Sequence, residues 1–570
     1  MCGIFAILNN SYDKNSIESS FQRGKDRGPE YSSIEFSPNS KTVIGFHRLA
    51  INGYDDEKSN QPLKLNDCSL ICNGEIYNFK QLYKMCPQFK QKTKSDCEII
   101  IHMYSKYGIK HTLQHIDGVF AFILIDHKKN VVYAARDTYG VRPLFLFDNP
   151  YTDDKTIFFS SELKSMIKLF NNQTNIIQFP CGYCHKYRFD KNNDIYTFQN
   201  SYSFSSPNTH TLNHSFDEND WKLLIFNALD NAVKKRVMGT TEREIACLLS
   251  GGLDSSIISA LVNKYYQKLT GNSVHTWSIG FEGSEDLKYA EIVANHIGSN
   301  HHSIVVEPTV FLNAIERVIY DIESYDTTTV RASVGNWLIS KYIKKQSKAK
   351  VVFNGDGSDE LTGGYLYFHY IRDPLLFDKE CRRLLTDISY FDVLRSDRSI
   401  SSHGLEARTP FLDKQFVDLY LSVPPQKRCH TTQGFCEKYL LRSACDNKLI
   451  PDSVLWRTKE AFSDGVSKTN DSWCDIIKRH VKEKIFNSED YPDNDQEIID
   501  ALVKDKNITH NIPTTLEQLY YRLIYEKYYG NVNSKIIPYF WMPRYVKATD
   551  ASARSLNIYK IRNNKNIKKD

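Results

Sequence analysis

The residues of this chain whose types and spacing could do chemistry fall in a few short stretches. Ser250-Gly251-Gly252-Leu253-Asp254-Ser255-Ser256 follows an apolar run at 245–249 that reads as a buried strand. It precedes residues 257–266, apolar at helical spacing. Strand, glycine loop and helix in that order leave free backbone N–H groups and the positive end of a helix dipole facing one point. An anion belongs there, most naturally a phosphate. The loop has no lysine, so it is not the usual G-x-x-x-x-G-K-[ST] loop, and Gly-Gly alone is equally a serine-capped helix after a turn. Asn354-Gly355-Asp356-Gly357-Ser358-Asp359-Glu360 ends a second apolar run, 351–353. Strands that end on one edge of a parallel sheet build a crevice there. Asp254 and Asp359 then fall on neighbouring loops, and two carboxylates facing a triphosphate read as Mg²⁺ ligands. At the other end of the chain, removal of Met1 would leave Cys2 first. A first-residue cysteine carries its own general base, an α-amine with a pKa of about 7.7–8.0. Taken alone, Cys2 is better explained as a buried cysteine at a strand start.

The elements that must position these groups differ between the two halves. In the first 200 or so residues, alternating runs at 43–46, 69–72, 120–126, 131–135 and 157–160 read as strands. Residues 190–215 hold Asn, Asp, Ser, Thr and Pro with little periodicity and read as a linker. From Trp221 helices alternate with short apolar strands: an amphipathic helix over 223–237, strands over 274–281 and 303–306, and a helix opening at Asp286. His301-His302 invites a metal reading, but neighbouring strand residues point to opposite faces, so both are assigned to structure or solvent. A chain of 570 residues exceeds one domain. Its 41% hydrophobic and 25% charged content is that of a soluble globular protein. A net charge of +5 is too weak to argue for a nucleic-acid partner. The 13 scattered cysteines are read as neither a zinc site nor a disulfide framework, and as fitting a reducing, cytoplasmic location. No apolar run approaches the about 18 residues that a membrane span needs, and no signal peptide is read at the N-terminus.

Further motifs narrow the reading. Arg27-Gly28-Pro29-Glu30, His47-Arg48-Leu49-Ala50-Ile51, Gln61-Pro62-Leu63, Asn73-Gly74-Glu75-Ile76-Tyr77-Asn78, Lys94-Ser95-Asp96-Cys97-Glu98, Asp117-Gly118-Val119-Phe120, Ala135-Arg136-Asp137-Thr138-Tyr139-Gly140 and Ser160-Ser161-Glu162 follow one another. In order and spacing they resemble the class II glutamine amidotransferase domain. The resemblance implies a four-layer α-β-β-α Ntn-type sandwich of antiparallel sheets, with Cys2 as the nucleophile. It implies an oxyanion hole from the Asn73 side chain and the Gly74 N–H. Arg48 fits the glutamine carboxylate as a fork, and Asp96, with Glu75 as a second candidate, fits its ammonium. Glu30 departs from the family's usual Asp, at a position expected to support a loop.

The string Ser250–Ser256 resembles the pyrophosphate loop of ATP pyrophosphatases. It stands with Asp326-Thr327-Thr328-Thr329-Val330-Arg331-Ala332-Ser333, Leu394-Arg395-Ser396-Asp397-Arg398, Gly404-Leu405-Glu406-Ala407-Arg408 and Trp456-Arg457-Thr458-Lys459-Glu460-Ala461-Phe462-Ser463-Asp464-Gly465. Together with the first half, these resemble the glutamine-hydrolysing asparagine synthetases, over Cys2 to about residue 559. Tyr539-Phe540-Trp541-Met542-Pro543-Arg544 and Ala548-Thr549-Asp550 resemble the eukaryotic-type form. The implied organisation is a glutaminase domain over 1–200, a linker over 201–220, a PP-loop α/β synthetase domain with a parallel sheet over 221–560, and a disordered tail over 561–570. A homodimer is the oligomer expected, if there is one.

The implied reaction uses glutamine, aspartate and Mg-ATP. ATP would contact Leu249, Ser250, Gly251, Gly252, Asp254, Ser255, Ser278, Ile279, Asn354, Gly355, Asp359 and Lys459, its adenine near Leu249 and Ser278-Ile279. Mg²⁺ would sit on Asp254 and Asp359. Thr328, Thr329 and Arg331 match the family's residues near aspartate, and Lys459 would stabilise charge on the phosphates. Asp356 stands where the family has a Glu close to the reacting aspartate, one methylene shorter. Ammonia made at Cys2 is expected to pass internally and displace AMP. The alternative is another PP-loop amidotransferase acting on a different carboxylate, against which Thr328-Thr329-Val330-Arg331 argues. A tRNA-modifying PP-loop enzyme is disfavoured by the glutaminase half and the absence of a basic patch.

Overall fold

In the computed structural model the chain is described except for residues 39–40, 149–154, 171–175, 213–215, 460–461, 468–470, 488–490, 549, 553–555, 557 and 559–570. The described chain forms two compact units. The first is Met1–Ser206 with Gly239–Arg243 and Ser401–Glu406, and the second is Pro207–Met238, Glu244–Ile400 and Ala407–Asp570.

In the first unit, β1 (Gly3–Leu8), β2 (Tyr31–Phe36), β3 (Thr42–Arg48), β8 (Phe145–Asp148), β9 (Ile157–Ser160) and β10 (Ile176–Gln178) form one sheet in the order β10-β8-β9-β1-β3-β2. β4 (Leu63–Leu65), β5 (Cys68–Ile76), β6 (Gly118–Asp126), β7 (Val131–Arg136), β11 (Tyr183–Asp190) and β12 (Ile195–Ser203) form the other, in the order β12-β11-β7-β6-β5-β4. Their paired strands run antiparallel. Strand side chains alternate between faces, and here both faces are apolar. Ile71, Ile123, Val132 and Ala134 pack against Ile4, Ala6 and Phe46 between the sheets. Leu70, Cys72, Phe122 and Leu124 face outward onto Ile99, Ile100 and Met103 of the Glu98–His115 helix. On the far side of the other sheet, Phe21 of the Lys14–Gln22 helix meets the Phe5 ring edge-on at 5.6 Å. The expected four layers, α-β-β-α, are present.

Residues 195–203, read as linker, are β12, paired with β11. β12 is an edge strand with little burial on either face, so it carries no period-two apolar signal for sequence reading to catch. Cys181 and Cys184 also stand at C-x-x-C spacing, which the cysteine reading passed over. Neither is in a disulfide, and Cys184 is buried within β11.

The second unit is α/β. β13 (Ile245–Leu248), β14 (His275–Gly280), β15 (Asn300–Val305), β16 (Val351–Phe353) and β17 (Glu406–Arg408) lie in the order β15-β14-β13-β16-β17. β13 runs parallel to both β14 and β16. From β13 the chain winds through the Leu253–Thr270 helix to β14 and through Glu285–Ile297 to β15. It then returns through Pro308–Ile322 and Thr327–Gln346 to β16 on the other side. The order therefore reverses at β13, and a crevice opens past the carboxyl ends of β13 and β16, where open α/β sheets bind ligands. His301 meets the hydroxyls of Thr276 (3.0 Å) and Ser278 (3.1 Å), while His302 stacks on Trp277 at 4.0 Å. The pair splits between faces as expected. No described helix is long and apolar enough to cross a membrane. The tail over 561–570 lies outside the described residues.

Candidate active sites

In the first unit, Cys2 precedes β1, and its backbone N–H donates to Asn73 Oδ1 at 3.0 Å. Its Sγ is 3.6 Å from Leu49 O. Asn73 sits on β5, fully buried, and its Nδ2 has no partner among the described residues. A buried amide donor left unpaired costs stability, so a donor held beside a thiol in this way is a group kept for something that arrives. The neighbouring position has to be glycine: a Cβ on Gly74 would stand 2.6 Å from Val119 O and 2.8 Å from Phe120 Cβ. Glu75 accepts from Asn52 Nδ2 at 2.7 Å, and Asp96 accepts from the Ile76 N–H at 2.6 Å.

Arg48 is engaged by the loop that follows it. Its guanidinium donates to Asn60 Oδ1 (2.7 Å), Asn52 O (3.1 Å) and Gly53 O (2.5 Å), so the fork clasps the 52–60 loop. Glu30 accepts from the Ala50 N–H at 2.8 Å, a loop support despite its extra methylene.

With Met1 attached, the Cys2 nitrogen is an amide and cannot act as a base. Met1 is buried, its ammonium 3.2 Å from Glu406, and burial pulls its pKa down. Burial pushes the Cys2 thiol up, against the pull of the nearby N-terminal charge. A thiol in that position needs a base close by, and removing Met1 would create one on the nitrogen that now faces Asn73 Oδ1.

In the second unit a cavity lies at the crevice past β13 and β16. Leu249, Ser250, Gly252, Asp254, Ser255, Ser278, Ile279, Thr328, Asn354, Gly355, Asp356, Asp359 and Lys459 all line it. The 250–256 loop is held from inside: Ser255 Oγ accepts from the Ser250 N–H (3.2 Å), and Ser256 Oγ donates to Gly252 O (2.7 Å). Gly252 is the N-cap of the Leu253–Thr270 helix and has no side-chain cap, which leaves first-turn N–H groups to a ligand. Gly251 does not line the cavity. It makes the turn, with φ +71° and room for no Cβ, since Ala290 N would be 2.5 Å away. The two loops touch: a Cβ on Gly355 would lie 2.8 Å from Asp254 Cβ.

The carboxylates of Asp254 and Asp359 converge. Lys438 Nζ is 2.6 Å from each, and Lys459 Nζ is 2.8 Å from Asp359 and 3.9 Å from Asp254. Burial alone would raise Asp359, but the two ammonium groups outweigh it and hold its carboxyl well below the usual range. The same attraction keeps Lys459 charged despite its burial. Two acids that already share a cation fit Mg²⁺, which takes one or two carboxylates and completes its shell with phosphate oxygens and water. Among the described residues no cluster of three or more His, Cys, Asp or Glu would build an all-protein cage.

Asp356 is half-buried beside Arg395, whose Nη2 donates to it at 2.8 Å. Burial pushes its carboxyl up and Arg395 pulls it back. Next to it, the Tyr365 hydroxyl lies 2.6 Å from Glu360 and 2.9 Å from Asp392. Burial, then the charge of Asp392, pushes the Glu360 carboxyl well up.

The aspartate triad splits. Thr328 lines the cavity, but Thr329 donates N–H (2.9 Å) and Oγ1–H (2.8 Å) to Asp326, the N-cap of the Thr327–Gln346 helix. Arg331 is spent on a buried ion cluster, with Glu517 at 2.8 and 2.6 Å and Asp550 at 2.7 and 3.0 Å. Thr328 and Ala332 line the cavity; Arg331, although a helical neighbour of Thr328, is drawn away by Glu517 and Asp550.

Sequence reasoning missed Lys438, which belongs to no motif it singled out, and gave no role to Arg395 or Arg457. Arg457 stacks on Tyr289 at 4.0 Å and donates to Gly251 O at 3.3 Å, bracing the phosphate loop. Both arginines stood in quoted motifs, so a signal existed for them. The motif residues Glu460, Ala461 and Thr549 lie outside the described residues.

Comparison with known proteins matches both parts of the chain. The family model for a glutamine amidotransferase domain matches residues 1–204, and that for asparagine synthase matches 225–375 and 371–517. The chain is 39% identical over 580 residues to asparagine synthetase [glutamine-hydrolyzing] of Gallus gallus, covering 98% of this chain and 99% of that protein. The same-named proteins of Bos taurus and Homo sapiens are 40% and 39% identical over 579 residues, at the same coverage. A nucleophile site and a nucleotide cavity in one chain, with likeness running from end to end, mean that the chain belongs to the glutamine-hydrolysing asparagine synthetase family.

Proposed function

We propose that this protein makes L-asparagine from L-aspartate, taking nitrogen from L-glutamine and converting ATP to AMP and pyrophosphate through β-aspartyl-AMP. The observation that carries the reading is the second-unit cavity, where an uncapped phosphate loop, a converging carboxylate pair and Lys459 meet.

In the first half-reaction, the Cys2 thiolate attacks the glutamine amide carbon and the α-amine freed by Met1 removal takes the thiol proton. Asn73 Nδ2 and the Gly74 N–H receive the oxyanion. Asp96 and Glu75 face the substrate ammonium. Arg48 reaches the substrate carboxylate only by releasing part of the 52–60 loop, so glutamine binding and loop order are linked. The α-ammonium then gives its proton to the departing nitrogen, so ammonia leaves and a thioester remains, and water hydrolyses the thioester to release glutamate and restore the Cys2 thiol.

In the second half-reaction, a β-carboxylate oxygen of aspartate attacks the α-phosphorus. The bond to the β-phosphate oxygen breaks, and pyrophosphate stays on the Ser250–Ser256 loop. Asp254 and Asp359 would hold Mg²⁺, which when bound spreads the charge of the phosphates. Lys459 faces the same charge, and positioning rather than covalent chemistry carries the step. Thr328 contacts aspartate and Arg331 acts through the helix it anchors. Ammonia then attacks the acyl carbon and AMP departs, its adenine held by Leu249, Ser278 and Ile279.

The test is to incubate the protein with glutamine, Mg-ATP and either aspartate or a panel of other amino-acid carboxylates, and to measure amide product, AMP and pyrophosphate. Asparagine, AMP and pyrophosphate are expected in equal amounts with aspartate alone. Turnover of another carboxylate in preference to aspartate would replace this reading with the alternative.

A further inference from the structure

Lys438 is placed with more care than neutralising two acids requires. Its Nζ lies 2.6 Å from Asp254 Oδ2, 2.6 Å from Asp359 Oδ1 and 3.4 Å from Ser358 Oγ, and its side chain is buried. The residue sits at φ +59°, in the left-handed region. A lysine stays there only where its surroundings impose it. One constraint is Gly364: a Cβ there would stand 2.0 Å from Lys438 Cε and 2.2 Å from Asp359 Oδ1, so only glycine lets the lysine stem through. Another is Glu437, which accepts from Arg442 Nη2 (2.8 Å) and from the Lys459 N–H (3.0 Å) and pins the segment.

The charges close without a metal. Asp254 and Asp359 carry two negative charges, and Lys438 and Lys459 carry two positive ones. Without a cation the two converging, half-buried carboxylates would repel each other. With both ammonium groups in place, a divalent ion meets a neutral site and two like charges.

We propose that Lys438 is an internal counter-ion for the metal position: its ammonium stands between Asp254 and Asp359 in the free protein and keeps divalent cations off until nucleotide supplies further negative charge. This rests on the reading of Asp254 and Asp359 as the metal ligands. The free protein then holds little metal of its own, and metal and nucleotide bind interdependently.

The experiment titrates Mn²⁺ alone into nucleotide-free, full-length protein and reads free Mn²⁺ by electron paramagnetic resonance. Mn²⁺ takes the same oxygen ligands as Mg²⁺. Lys438→Met, which keeps the bulk of the stem and removes the charge, is expected to bind Mn²⁺ at least roughly tenfold more tightly than wild type. Adding Asp254→Asn should erase that gain. Gly364→Ala is a second route: it leaves Lys438 in the chain, displaces its stem, and should raise Mn²⁺ affinity in the same direction. Wild-type Mn²⁺ affinity in either variant, with an unchanged melting curve, overturns the proposal. A parallel titration with a non-hydrolysable ATP analogue separates the two readings. If Asp254→Asn and Asp359→Asn weaken that ternary binding while Lys438→Met leaves binary Mn²⁺ binding unchanged, the metal ligands stand and the counter-ion role alone falls. If neither asparagine variant weakens it, the metal assignment falls and takes the counter-ion role with it.

Discussion

Asp356, one methylene shorter than the Glu that the resemblance implies at this position, still lines the cavity. Its carboxylate is fixed by Arg395 at 2.8 Å and lies within the cavity lining beside Asp359 and Glu360. The loop around it is built of glycines, with Gly357 at φ +91°, so the backbone rather than the side chain sets the reach. Asp356→Ala should lower pyrophosphate release with aspartate and Mg-ATP by on the order of a hundredfold, the scale set by misplacing an active-site group by about 1 Å. Asp356→Glu should stay near wild type or rise slightly, because the site keeps its charge and the loop can yield. Near-wild-type release by the alanine variant would take Asp356 out of the reaction.

At the same scale, the sequence was informative about which residues matter and poor on what they face. Cys2 precedes β1, Asn73 lies within β5, and Asp254 and Asp359 lie in the first turns of the helices that follow β13 and β16, all in stretches whose apolar runs and glycines are legible. Arg48, Thr329 and Arg331 turn to the 52–60 loop, the Asp326 cap and the Glu517–Asp550 pair. Glu517 is 186 residues away from Arg331 in the chain, and no local pattern reports a partner at that distance. Lys438 was hidden for the same reason: its 184-residue separation from Asp254 leaves nothing in its neighbours to mark it.

Among the elements, the phosphate loop and the Thr327–Gln346 helix make separable predictions. Gly251 holds φ +71° with Ala290 N and Tyr289 packed where a Cβ would go. Gly251→Ala has to deform the turn or push the Glu285–Ile297 helix away. ATP-dependent pyrophosphate formation should fall by at least about a hundredfold, while glutamine hydrolysis, whose residues lie in the first unit, should persist. Loss of both in a folded variant would contradict the assignment. The helix N-cap, Asp326, is fully buried, and burial pushes its pKa up to about 6 against the hydrogen bonds and Arg331 charge that lower it. Its folded value exceeds the unfolded one, so its protonation favours the fold below about pH 4, and that contribution is lost as pH rises through about 6. Asn does not titrate. The stability advantage of wild type over Asp326→Asn should therefore shrink between about pH 4.5 and pH 7.5, by on the order of 2 kcal/mol, measured by denaturant midpoints. A constant gap would mean that Asp326 is ionised throughout. Helices and buried strands of this kind were readable from apolar period. β12, exposed on both faces, was not.

For the whole molecule, the two sets of candidate residues lie in different compact units. Cys2→Ala should abolish asparagine formation from glutamine and leave formation from added ammonia within about twofold, because nothing at Asp254, Asp359 or Lys459 has changed. Protein that retains Met1 should behave the same way, since its Cys2 nitrogen is an amide. Mass spectrometry of the N-terminus alongside both assays checks this, and full glutaminase activity in Met1-bearing protein would remove the α-amine from the mechanism.

The first unit is not a stretch of chain that ends where its strands end. Gly239–Arg243 and Ser401–Glu406 belong to it. Glu242 accepts from the N–H groups of Gly53 (3.2 Å) and Tyr54 (2.7 Å), in the same loop that Arg48 clasps, and Glu406 faces the buried N-terminus. A gene cut after residue 206 would therefore encode a glutaminase without two of its own acidic supports, one under the substrate-side loop and one beside the nucleophile's end of the chain. Such an excised fragment should be poorly soluble or inert. Heredity would then have handled the two activities as one indivisible cassette: a recombination event that moved the amidotransferase half alone would leave pieces of it behind in the donor.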